Sequence, residues 1–194
     1  MSGLFHVNVA RMTNLRTSLL LFSFAVLSLL LGGCARPWTV MSQASPNPMS
    51  AQSTFTIEKL TFEGLRVGEK SDAQYAAEKK DETAEAWEGD KAEMIEAFGH
   101  GFMDSREPIK IGDGGSFRVK ANCAFVEPGF YAYVASSPAT IRVRARVLDP
   151  QGQLVDEIEI KTESANMAKR TRLRNAAEAA GAALAKYLKS RVAP

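Results

Sequence analysis

Two cysteines and two histidines are the whole stock of thiol and imidazole chemistry in this 194-residue chain. A four-cysteine zinc site or a multi-disulfide scaffold needs more, and His6 with His100 cannot build a histidine-rich zinc, copper or non-haem iron centre. A Ser-His-Asp or Cys-His arrangement would have to use His100, which stands between Gly99 and Gly101. That setting suits a solvated imidazole near a helix end. Cys123 falls on the apolar side of an alternating segment, where a packed thiol is inert. Gly112-Asp113-Gly114-Gly115-Ser116 resembles a phosphate-cradling loop in composition, yet it lacks the Gly-Lys-Ser/Thr ending and opens no helix. A turn is expected there. No catalytic residue, metal or cofactor follows from this inventory, and an enzyme is not expected.

The charged residues offer two further candidates. Arg142, Arg144 and Arg146 alternate along one strand face, and a hairpin would set them opposite Glu157 and Glu159 as a solvated charge ladder. Lys169, Arg170, Arg172 and Arg174 open the last helix, where positive charge opposes the helix dipole. With no local stabilising role, this second cluster is the better candidate for contact with an acidic partner or an anionic surface. Charge is also segregated along the chain. Residues 68–107 carry 12 acidic and 5 basic side chains, whereas residues 139–194 carry 6 and 11. The two regions either pack against each other or one of them meets another protein.

The N-terminus is organised differently. No residue between Arg16 and Arg36 is charged, Leu19–Leu31 is an unbroken run dominated by leucine and other apolar residues, and Arg11 and Arg16 precede it. A basic region, a short apolar region and small residues make a secretory signal. The run ends in Leu31-Gly32-Gly33-Cys34, which resembles the lipobox of bacterial lipoproteins. That resemblance implies diacylglyceryl transfer to the Cys34 sulfur, cleavage between Gly33 and Cys34, and acylation of the new amino group. At about 0.8 kcal/mol per buried methylene, two or three acyl chains hold a protein on a membrane durably. Translation from Met12 would give a shorter signal of more ordinary length. Ala35 in place of an aspartate after the cysteine leans toward the outer membrane by the enterobacterial sorting pattern.

The elements that must position these residues follow from periodicity. Residues 34–53 are expected to be the acylated cysteine and a flexible, Pro- and Ser-rich linker without charge after Arg36. Residues 54–194 are expected to form one periplasmic domain. Thr54–Phe62 reads as a strand, and the polar stretch 66–88 as either a solvated helix or an excursion. Asp90 with Glu93 suggests a capped helix start, with Pro108 ending that helix. Phe117, Val119, Ala121, Cys123 and Phe125 alternate with polar neighbours as a half-buried strand. A hairpin is expected over Thr140–Thr162, with Leu154, Ile158 and Ile160 inward. The stripe Leu173, Ala177, Ala180, Leu184 and Leu188 marks a helix from Asn166 to Val192 whose small residues permit close approach.

This order predicts an α+β domain: a mostly antiparallel sheet with helices packed on one face. It is similar in element order to small α+β periplasmic domains of bacterial envelope lipoproteins. The resemblances together imply a lipid-anchored, non-catalytic envelope protein facing the periplasm, attached to the membrane through Cys34 and working through an envelope protein partner. The alternative is a binding module for a lipid or other envelope ligand. A formal charge of only +2 gives no basis for nucleic-acid binding.

Overall fold

The computed structural model describes residues 36–51, 54–78, 81–112, 117–132 and 134–192. Residues 1–35, which hold the expected signal and the lipobox-like Gly33 and Cys34, and residues 113–116, where a turn is expected, lie outside the described residues. Residues 37–194 make one compact unit. Its strands are β1 (Trp38–Gln43), β2 (Thr54–Ile57), β3 (Arg66–Val67), β4 (Lys70–Ser71), β5 (Lys110–Ile111), β6 (Phe117–Glu127), β7 (Phe130–Ala132), β8 (Ala135–Ser137), β9 (Ala139–Leu148) and β10 (Leu154–Ser164). Its described helices are α1 (Asp72–Ala77), α2 (Asp81–Ser105) and α3 (Lys169–Val192).

The main sheet runs β1-β10-β9-β6-β2-β5, with β3 and β4 attached beside β6. The long strands β6, β9 and β10 pair antiparallel, while β2 is parallel to both β5 and β6. Alternation explains the register. Phe117, Val119, Ala121 and Cys123 of β6 and Ile141, Val143, Ala145 and Val147 of β9 are buried on one face, under α2 and α3. Arg118, Lys120, Arg142, Arg144 and Arg146 point the other way. The α+β class and the helices above a mostly antiparallel sheet match the periodicity.

Four local expectations change. The stretch 38–43, expected as linker, is β1 at the sheet edge: Trp38 pairs with Ile160 and Val40 with Ile158. Its continuation is tied down as well, with Met49 fully buried. An edge strand exposed on most sides has no apolar period to betray it. The second change lies in the polar stretch 66–88, which holds the β3–β4 turn, α1 and the first turns of α2. Ser71 caps α1 reciprocally with Gln74: the Gln74 N–H donates to Ser71 Oγ and the Ser71 N–H to Gln74 Oε1.

Third, α2 starts at Asp81 rather than at Asp90, because Ala- and Glu-rich residues favour helix and Trp87 anchors that turn in the core. Asp90 is therefore an interior helix residue, buried against the next helix. Fourth, irregularities in β6 and β10 break the alternation. Between Cys123 and Phe125 the register slips, so Phe125 leaves the core and lies under the Arg142 guanidinium at 4.9 Å. Between Leu154 and Asp156 a second slip exposes Leu154 and buries Val155 and Asp156.

Candidate functional site

Most of the basic cluster at the start of α3 has partners within the molecule, though Arg170 and Arg174 stay exposed. Lys169 Nζ lies 2.6 Å from Asp90 Oδ2 of α2 and sits 5.7 Å from the centre of the Trp87 ring. Arg170 Nη2 is 2.6 Å from Glu93 Oε1. Arg172 is buried, donating to the carbonyl oxygens of Asn166, Met167 and Pro128 at 2.6, 3.0 and 3.3 Å. Arg174 shares a cleft with Glu93, Glu96, Asp104 and Glu178. The acidic helix and the basic helix therefore neutralise each other across their contact. The charge at the N-terminus of α3, unexplained by its own dipole, is explained by α2.

The arginine row behaves as a charge ladder. Arg144 and Arg146 approach the same Glu157 oxygen, at 3.5 and 3.0 Å. Glu58 sits near Arg118 at 3.5 Å and near Lys120 at 3.9 Å. Glu58, Lys120, Arg144 and Arg146, with Thr61 and Asn122, line an open groove of about 430 Å³ on the sheet face away from the helices. Asn122 holds the crossing segment in place by accepting from the Glu63 N–H at 2.8 Å and donating to the Glu63 carbonyl at 3.0 Å. A second groove, of about 220 Å³, is apolar. It lies where Ile95, Phe98, Phe102 and Met103 of α2 face Ile57 and Ile111 at the β2–β5 edge.

Neither His100 nor Cys123 is placed for nucleophilic chemistry. His100 lines the cleft of Glu93, Glu96, Asp104, Arg174 and Glu178, which offers carboxylates and a guanidinium and no hydroxyl or thiol. Cys123 is fully buried, and its Sγ–H faces the Phe125 carbonyl at 3.6 Å. Burial pushes the thiol up to about 12, because a thiolate there would lose its hydration. The reactive form is the thiolate, so raising the pH from 7 to 9 leaves the native thiol protonated. Native protein at pH 8 is expected to show no Cys123 modification over an hour with an aromatic disulfide reagent. In urea, where the thiol returns to about 8.5, it should react stoichiometrically. Equal rates in both conditions would contradict the burial.

Sequence reasoning misses one polar centre entirely. Asp156, fully buried at the slip in β10, accepts from Tyr187 Oη–H at 2.6 Å and from Arg191 Nε–H at 2.7 Å, both on α3. Its other oxygen accepts from the Ala44 N–H at 3.1 Å. Arg191 also donates to the Ala44 carbonyl at 3.1 Å, and Asn47 donates to the Arg191 carbonyl at 2.6 Å. Burial, with Asp156 alongside, raises the Tyr187 phenol above its ordinary value. The network is fully hydrogen-bonded and faces no opening, so it is a clasp between the segment after β1, β10 and the end of α3. One signal was available: Arg191 continues the apolar stripe of Leu184 and Leu188, and a cation on a buried stripe calls for a buried carboxylate.

One end of the sheet differs from the rest of the surface. The paired strands β7 and β8 extend the β6–β9 hairpin past a bend at Pro128-Gly129, where a Cβ on Gly129 (φ 63°) would fall 2.4 Å from the Ser137 carbonyl oxygen. Phe130 and Tyr131 are each more than half exposed, Val134 is 92% exposed, and Met167 in the turn before α3 is 71% exposed.

No protein-family model and no curated protein matches the sequence. Among solved structures the chain is similar to the PelC dodecamer from Paraburkholderia phytofirmans, at 9% identity and TM-score 0.40, with 81% of this chain and 98% of that chain covered. It is also similar to the hypothetical protein CT253 from Chlamydia trachomatis, at 10% identity and TM-score 0.42, covering 72% and 99%. A candidate lipoprotein from Caulobacter crescentus aligns at 16% identity and TM-score 0.31, covering 52% and 81%. Likenesses of this degree assign no function.

Proposed function

We propose that this chain is a lipid-anchored, non-catalytic cell-envelope protein that faces the periplasm and works through contacts with other envelope proteins. The observation that carries this reading is the sequence Leu31-Gly32-Gly33-Cys34, with a basic and then an apolar segment before it. Placement of the fold supports it. The compact unit begins at Pro37, directly after the lipobox, and none of the described helices is long and apolar enough to cross a membrane. An acylated Cys34 would then be the link between bilayer and domain. Ala35 favours the outer membrane as the destination.

Mass spectrometry of the protein from a membrane fraction tests the anchor. The expected N-terminal peptide begins at Cys34 and carries diacylglyceryl and amide-linked acyl mass. The Cys34→Ser variant is expected to retain its signal and lose that mass. A peptide running intact across Gly33-Cys34 in the mature protein would remove the lipobox reading. A second reading, a binding module for an envelope lipid, draws on the apolar groove between α2 and the β2–β5 edge. Co-purified lipid in the absence of any stoichiometric protein partner would favour it over the first.

A further inference from the structure

The exposed apolar residues at one end of the sheet coincide with the point where the anchor enters. Pro37 is fixed, because its carbonyl accepts from the Lys161 N–H at 3.0 Å. Cys34 is three residues earlier, and three residues of chain span at most about 10 Å. Strand register shows which end of the domain this is. Trp38 pairs with Ile160, and from that level β10 runs on to Ser164, opposite Ala139 at the start of β9. Glu127 at the end of β6 pairs with Thr140 at the same end. From here Pro128-Gly129 leads out into β7 and β8, and the turn bearing Met167 follows β10. Pro37, the hairpin and Met167 therefore share the same end, while the β9–β10 turn around Gln151 lies at the other.

The hairpin itself is built unlike the rest of the surface. No residue between Glu127 and Arg142 is charged, and Phe130, Tyr131 and Val134 are exposed at the hairpin. Every described residue of β7 and β8 except Ser137 is exposed, so the hairpin does not bury its aromatic rings against the domain. A lone two-stranded hairpin is marginally stable in water, and solvated aromatic side chains on it gain nothing there. Tyrosine, with its amphipathic ring, concentrates at the membrane–water interface.

Resting on the lipoprotein reading above, we propose that the β7–β8 hairpin, with Met167, is a second and non-covalent membrane contact, inserted at the lipid interface beside the acyl chains of Cys34. The rim of this end carries both signs: Lys161 pairs with Glu163 at 2.8 Å, and Arg142 is engaged by the Phe125 ring. Insertion is therefore apolar and does not require anionic lipid. Two or three acyl chains already hold the protein on the membrane durably, so retention does not depend on the hairpin. What the hairpin supplies is orientation of the domain, which a lipid tether alone leaves free to rotate.

The full-length acylated protein in phosphatidylcholine vesicles provides the test. Val134→Cys carries an environment-sensitive fluorophore, and Gln151→Cys, at the far end, carries the same label as control. Acylation blocks Cys34 and burial protects Cys123, so each variant takes one label. The Val134 probe is expected to shift to the blue and to be quenched by nitroxide-bearing lipid, with the Gln151 probe quenched only by aqueous iodide. Adding Phe130→Ser and Tyr131→Ser should move the Val134 probe back toward the aqueous response. Iodide quenching of both probes alike would overturn the proposal, as would protection of the Val134 probe from both quenchers with cross-linking between copies, the mark of a protein contact. Mass spectrometry of the same sample reports acylation at Cys34, so failure of the anchor and failure of the hairpin contact are read separately.

Discussion

Replacing Asp156 with alanine is expected to lower the unfolding free energy by about 3–5 kcal/mol, the cost of leaving one member of a buried ion pair unpaired. Asp156 is fully buried, and the Arg191 side chain opposite it is nearly so. Loss of the carboxylate strands the guanidinium and the Tyr187 hydroxyl together, while the Ala44 N–H keeps the Val155 carbonyl at 2.9 Å. Urea denaturation followed by circular dichroism measures the change through its midpoint. The exposed pair of Arg146 with Glu157 sets the scale: Arg146→Ala should cost less than about 1 kcal/mol. Combining Asp156→Leu with Arg191→Met removes both charges and should recover much of the loss. An Asp156→Ala variant as stable as the parent would show that the clasp contributes nothing. Limited proteolysis adds a local readout, because residues 44–51 should become cleavable before the core does.

The second large effect concerns two glycines where α2 crosses α3. A Cβ on Gly101 would lie 1.9 Å from the Glu178 carbonyl oxygen, and a Cβ on Gly181 would lie 2.0 Å from that of Phe98. Each glycine is thus pressed against the backbone of the opposite helix, and backbone cannot turn aside as a side chain can. Helix propensity favours alanine over glycine by about 1 kcal/mol, whereas overpacking costs about 1–3 kcal/mol. Packing decides the sign. Gly101→Ala and Gly181→Ala clash with backbone, so the upper part of the overpacking range applies and each is expected to destabilise the protein by about 1–2 kcal/mol after the propensity gain is subtracted. Gly99, two residues away, has nothing within 4 Å of its added Cβ, so Gly99→Ala should stabilise by about 0.5–1 kcal/mol. Thermal melting of the three variants separates the two influences. Stabilisation by all three would mean the helices do not meet as closely as described.

What the sequence disclosed and what it withheld follow a physical division. The β9–β10 pairing and α3 were legible because both are amphipathic over many residues, and burial imposes period two or 3.6 on such elements. The face-to-face arrangement of Arg146 and Glu157 came from the same alternation. β1 was not legible. Its pairing uses backbone groups, five of its six residues are exposed, and backbone pairing leaves no mark on side-chain pattern. Asp156 was hidden for another reason: a single-residue slip in β10 inverts which neighbours face inward. The start of α2 was misplaced because Asp90 and Glu93 have the spacing of a helix cap while serving as partners for Lys169 and Arg170. Local signals and tertiary ion pairs use the same residue types.

The clasp joins residues far apart in the chain: Asn47 holds the Arg191 carbonyl across 144 positions. A polypeptide leaving a ribosome or a membrane channel presents β1 first and the end of α3 last. Until residues 154–164 emerge, β1 has no β10 to pair with, and until the end of α3 follows it has no Arg191 to fasten it. Contacts of such long range are slow to form, because the loop they close must be gathered before any of them stabilises it. Closing the clasp is therefore a late event in the folding of this unit, and until β10 arrives β1 remains an open strand edge.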